Sequence, residues 1–181
     1  MNWYKLSRLN DTNTYTIGPY SNLILLGCGE AGGCAYLDPL TGHAIKQTKS
    51  ESEAHRALNL LNKDYAFFPK IFKVIPYENT WLIEREEIPS LPESDQEILD
   101  IAQEALEEVN YDLDLFPEQL RETLFNWGMD SDENYARAFD MSKKLLNLMD
   151  SVKDIGDLPG EIRGENIGIR DGQFIVRDVD V

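Results

Sequence analysis

An apolar stretch, Leu23-Ile24-Leu25-Leu26, runs into Gly27-Cys28-Gly29-Glu30-Ala31-Gly32-Gly33-Cys34, and this glycine-dense turn constrains the fold more than any other segment. Gly27, Gly29 and Gly32 have GxGxxG spacing, which lets backbone amides approach a phosphate without side-chain obstruction. A dinucleotide-binding unit of the βαβ type needs a helix directly after such a turn. Here Cys34–Leu37 reads as a strand instead, followed by the turn residues Asp38-Pro39-Leu40-Thr41-Gly42 and a further strand, His43–Gln47, that carries Lys46. The order strand, glycine turn, strand, turn, strand predicts an antiparallel sheet with a lysine on its third strand. A turn with no ligand at all is the plain alternative.

Beyond Lys46 the periodicity changes. From Ser50 onward Ala54, Ala57, Leu58 and Leu61 fall at helical spacing, and Asn62-Lys63-Asp64 closes that helix. Ile71–Pro76 and Trp81–Glu84 then read as a strand pair around Glu78-Asn79. Pro89 and Pro92 suit a connector. Ser94-Asp95-Gln96-Glu97 has the form of a capping box before the apolar stripe Ile98, Ile101, Ala102, Ala105, Leu106 and Val109. Pro117 opens a second helix to about Asn126, and residues 132–152 make a third. Near the C-terminus, Ile167-Gly168-Ile169 and Phe174–Asp178 read as a hairpin around Arg170-Asp171-Gly172-Gln173. Residues 1–22 are polar and turn-rich, with room for an irregular strand or two.

The polar segment before that hairpin is Glu161-Ile162-Arg163-Gly164-Glu165-Asn166, and the acid Asp178 follows its second strand. With the glycine turn and Lys46, this layout resembles the protein-kinase-like superfamily, and within it the short kinases and pseudokinases of bacteriophages. The resemblance spans most of residues 23–181 and is weakest between 88 and 150. It implies an α+β, bilobal, minimal kinase-like fold. Residues 1–87 would form an antiparallel sheet with one helix, and residues 88–181 a truncated, mostly helical lobe ending after a metal-binding acid.

The resemblance also implies roles. Gly27, Gly29 and Gly32 would cover ATP phosphates, and Lys46 would bind the α- and β-phosphates. A helix carboxylate would hold that lysine, with Glu53 the better candidate and Glu51 the alternative. Asn166 and Asp178 stand at the two Mg²⁺-ligand positions, and both offer the hard oxygens that magnesium takes. Arg163 occupies the position of a lysine that touches the γ-phosphate, and its planar, permanent charge would meet it with a different geometry. Glu84, Arg85, Glu86 and Glu87 fall in the connector that contacts adenine through its backbone.

Three departures bear on activity. Glu161 stands where the family has a catalytic Asp; the extra methylene displaces the oxygens by about 1 Å, a shift that can cost around a hundredfold. Pro159-Gly160 replaces His-Arg, so control through a phosphorylated activation loop is not expected. Asp178-Val179 replaces Asp-Phe, and no activation segment follows it in this sequence. A phosphoryl acceptor is then expected to be held by the acidic helices, by a partner, or by a second copy of the chain in a homodimer.

Two functions follow from the resemblance. One is a minimal protein kinase, phage-encoded, that moves the γ-phosphate of ATP to a hydroxyl of a host protein. The alternative is a catalytically impaired pseudokinase that binds or inhibits a host protein through an acidic helical surface. A small-molecule phosphotransferase ranks last, because such enzymes build their acceptor pocket from a larger helical lobe.

Charge sharpens the choice of partner. The net charge is −16, and residues 84–134 carry seventeen Asp or Glu against only Arg85 and Arg121, so nearly all of the excess is there. That excludes a basic nucleic-acid footprint. It suits either a solvated helical face or a surface that attracts a basic partner. No apolar run is long enough for a membrane span, and the start shows no secretory pattern, so a cytoplasmic location is expected. Cys28 and Cys34, six apart, make a poor metal site and read as small packing residues beside the glycine turn, with a redox-sensitive loop as the alternative. His43 and His55 have no metal-ligand companion in the sequence and read as structural.

Overall fold

The computed structural model describes residues 14–29, 33–152 and 166–177. They form a mixed α+β chain with a curled antiparallel sheet in its N-terminal part and a helical region in its C-terminal part. Two compact units are present, Met1–Pro89 with Ile175–Val181, and Ser90–Phe174.

The first unit is built on six strands: β1 (Thr14–Ile17), β2 (Tyr20–Cys28), β3 (Cys34–Leu37), β4 (Ala44–Thr48), β5 (Ile71–Tyr77) and β6 (Thr80–Arg85). Their order across the sheet is β1-β2-β3-β4-β6-β5, every neighbouring pair antiparallel. The helix α1 (Glu51–Leu60) carries the chain from β4 to the far edge, and the β5–β6 hairpin then lays β6 beside β4. Register shifts lie between Leu25 and Gly27 and between Ile71 and Lys73, and irregularities of that kind bend a strand and raise its local twist. Gly18, in the turn between β1 and β2, has φ +57, and a Cβ there would come within 2.9 Å of Leu82 Cδ1.

Alternation along the strands gives the sheet two faces. One carries Ile17, Leu23, Tyr36, Ile45 and Leu82, a buried cluster flanked by Tyr20, Cys34, Ile75 and Tyr77. Lys46 is on the other, the side on which α1 lies. That helix begins at Ser50, whose hydroxyl accepts from the Glu53 amide at 3.2 Å. It buries Ala54, Ala57 and Leu60 together with Glu53.

In the second unit α2 (Glu93–Glu108), α3 (Phe116–Asn126) and α4 (Asp132–Val152) pack on one another. Ile98, Leu99, Ile101, Ala102, Ala105 and Leu106 of α2 meet Phe116, Leu120 and Leu124 of α3 and Leu145 and Leu148 of α4 in its core. The capping box expected at Ser94–Glu97 does not form. Helix α2 starts earlier, at Glu93, with Pro92 at the cap and no side-chain cap bond. The Pro92 carbonyl takes the Asp95 and Gln96 amides, and Asp95 is instead engaged by Arg137 of α4.

The closing hairpin is β7 (Ile167–Arg170) with β8 (Gln173–Val176). A lone bridge joins Gly168 to Ser90. No helix among the described residues is long and apolar enough to cross a membrane.

Candidate functional site

The site forms around Lys46. On β4 it stands opposite Ala35 of β3 and Ile83 of β6, and Ala35 in turn stands opposite Gly27 of β2. Directly opposed residues of antiparallel strands share a face. A glycine and an alanine therefore occupy the row beside the lysine, so no long side chain of β2 or β3 stands next to it, and Ala35 is itself buried. The next rung outward is Gly29, whose amide donates to the Gly33 carbonyl at 2.8 Å. A Cβ on Gly33 would lie 3.1 Å from the Gln47 carbonyl oxygen and 4.0 Å from Lys46 Cε. Glycine at this position thus lets the turn lie against β4 next to the lysine.

Lys46 Nζ lies 2.6 Å from Glu53 Oε1, with side chains 7% and 0% exposed. Of the two candidate carboxylates, Glu53 makes this pair and Glu51 is exposed at the helix start. Ser50-x-x-Glu53 is itself a capping-box pattern, yet the Glu53 carboxylate is turned to the lysine. A buried ion pair is a poor source of stability, because desolvating both charges offsets their attraction and apolar replacements often do as well.

The other expected residues fall as follows. Asn166 is half-buried directly before β7, in the second unit. Gly32, Glu161, Arg163 and Asp178 lie outside the described residues. Among the described residues no group of three or more His, Cys, Asp or Glu gathers as a metal site.

Two expectations need correction. Glu84 and Arg85 are not part of a connector; β6 continues through both. Their side chains do structural work that connector residues read only for their backbone would not do. Glu84 accepts from Tyr20 Oη at 2.9 Å and meets His43 Nδ1 at 2.7 Å, while the His43 ring stacks on Phe72 at 3.9 Å between centroids. Burial, and then the hydrogen bond from its hydroxyl to the Glu84 carboxylate, push the Tyr20 phenol above its ordinary range. His43, one residue before β4, is in a structural role, but its partners lie too far along the sequence for any local pattern to name them.

The second correction concerns the cysteines. Cys28 and Cys34 are not a pair of packed thiols; they form a disulfide. Cys28 ends β2, Cys34 opens β3, and the two stand directly opposite each other in the ladder.

No protein-family model and no curated protein sequence matches this chain.

Proposed function

We propose that this protein is a kinase-like nucleotide-binding protein that takes ATP with Mg²⁺ and passes the γ-phosphoryl group to a protein hydroxyl. The observation that carries the reading is the buried Lys46–Glu53 pair, set between a glycine turn and a helix on one face of an antiparallel sheet. Lys46 would meet the α- and β-phosphate oxygens, with the glycine turn after β2 bringing backbone rather than side chains close beside it. Gly33 fits such a cradle, since any Cβ there would crowd Gln47 and narrow the approach to Lys46.

A second observation concerns the strand end that leads into Asp178. Asp178 follows Arg177, whose Nε donates to the Ile88 carbonyl at 3.0 Å and whose carbonyl is engaged by the Arg85 guanidinium. The Val176 amide donates to the Phe67 carbonyl at 3.0 Å. These bonds tie the residues before Asp178 to the unit that carries Lys46. Arg85 is the cross-strand partner of Ala44, two positions from Lys46 on the same face. As the resemblance implies, Asn166 and Asp178 would be the magnesium ligands, Arg163 would meet the γ-phosphate, and Glu161 would orient and deprotonate the acceptor hydroxyl.

The test is calorimetric titration of the full chain with ATP in the presence of Mg²⁺. Wild-type protein is expected to bind, and Lys46→Ala or Asp178→Ala to weaken binding at least about tenfold, equivalent to about 1.4 kcal/mol. Absence of binding by wild type would overturn the reading.

An alternative, in which the chain acts by binding a basic partner rather than by phosphoryl transfer, has its own support on α3. Leu115 and Phe125 are 56% and 68% exposed, and Glu118 and Glu122 lie exposed between them. The four share one helical face at spacings of three, four and three, over about 15 Å of helix. Two apolar anchors with acids between them match an amphipathic segment with lysine or arginine between its own apolar residues.

A further inference from the structure

We infer that the Cys28–Cys34 bridge is a thiol–disulfide exchange site, reacting with small thiols of the glutathione class and thereby releasing or restoring the covalent tie between the end of β2 and the start of β3. The two cysteines flank the turn immediately: Cys28 precedes Gly29, Cys34 follows Gly33, and Gly29 and Gly33 are hydrogen-bonded to each other. Cys34 also stands opposite Gln47, the residue next to Lys46 on β4. A covalent change at this pair therefore acts one rung from the turn and one strand from the lysine.

Three features distinguish an exchange site from a staple that holds the fold. Cys28 is exposed while Cys34 is half-buried, which makes Cys28 the open end of the bridge, and exposed bridges are the labile ones. The bond closes a very short loop, where cross-linking removes the least entropy from the unfolded chain. Beyond the adjoining Gly27–Ala35 rung, pairing of β2 with β3 does not depend on it, because the ladder continues through Leu25–Tyr36 and Ile24–Leu37, and β3 is held on its other side by β4.

The chemistry balances with one class of reagent. A thiolate attacks Cys28 Sγ, breaking the Cys28–Cys34 bond and releasing Cys34 as a thiolate that takes a proton. A second small thiol then attacks the mixed disulfide, leaving Cys28 as a thiol and releasing the small disulfide. Two thiols are oxidised and one protein disulfide is reduced. The reverse exchange, driven by the small disulfide, restores the bridge.

The test equilibrates the full chain in buffers spanning ratios of reduced to oxidised glutathione, then counts free thiols by alkylation and mass spectrometry. Hydrogen exchange at the Gly29 and Ala35 amides is followed in parallel. The native protein is expected to convert reversibly, with exchange at those amides rising about tenfold on reduction while α2 stays unchanged. The Cys28→Ser/Cys34→Ser variant should exchange at the fast rate in every buffer, and its circular dichroism should match wild type. A bridge that persists in the native protein under excess reduced glutathione, or amide exchange indifferent to its opening, would overturn the inference.

The consequence for ligand binding rests on the nucleotide reading above: Mg²⁺–ATP affinity should differ at least about threefold between the two forms. Failure of nucleotide to bind either form would sink that reading alone, since the thiol count and amide exchange do not involve it.

Discussion

Replacing either member of the Lys46–Glu53 pair tests whether the pair is an energetic liability retained for a purpose. With the ammonium 2.6 Å from the carboxylate and the two side chains almost without solvent, removing one partner leaves the other charge deprived of its nearest counterion. Such single changes cost about 3–5 kcal/mol, whereas apolar replacement of both partners is often neutral or stabilising. Lys46→Met and Glu53→Leu should each destabilise by about 3 kcal/mol, lowering the melting temperature by about 6–12 °C for a chain of this size. The double variant should return to within about 1 kcal/mol of wild type. Thermal and urea denaturation of the four proteins measure the cycle. The same double variant should lose Mg²⁺–ATP binding despite its restored stability. Costs that simply add, or a double variant as unstable as the sum, would refute the argument that desolvation offsets this pair.

Two further outcomes are expected. The Tyr20 phenol is held above its unfolded value of 10.0, so its contribution is complete below that pH and is lost as pH rises beyond it. Tyr20→Phe should therefore lose less melting temperature than wild type between about pH 8 and about pH 11, and equal losses would count against the Tyr20–Glu84 contact. For the α3 face, a synthetic amphipathic peptide with leucines at matching spacing and lysines between them should bind in a salt-sensitive way. Leu115→Ser and Phe125→Ser should each weaken it about tenfold, and unchanged affinity in both would remove α3 as the docking face.

Much of the architecture was legible because it is written in short-range patterns. The sequence pattern delimits Cys34–Leu37 with its observed ends, and residues 132–152 with both ends of α4, because turn residues and apolar periodicity bracket them. Lys46 stood out as a cation in an otherwise strand-like run. Local pattern misleads where it occurs twice. Ser50-x-x-Glu53 and Ser94-x-x-Glu97 look alike, but only Ser50 caps a helix, since α2 starts at Glu93 and leaves Ser94 already inside it. The disulfide escaped because a spacing of six does not say where β2 ends. That register is set by how far the β2–β3 ladder extends past the irregularity at Leu25–Gly27.

The sequence by itself determined the alternation of strand and helix, the glycine turn, the lysine two strands beyond it and the concentration of acid between 84 and 134. Only the tertiary structure decided which carboxylate meets Lys46, that Glu84 joins Tyr20 to His43, and that the two cysteines are bonded. The division has a physical cause. Turns, caps and periodicity depend on neighbours within a few residues, whereas burial of a charge depends on which side of a helix or sheet another element covers. That is settled by strand order and register, which no single segment encodes.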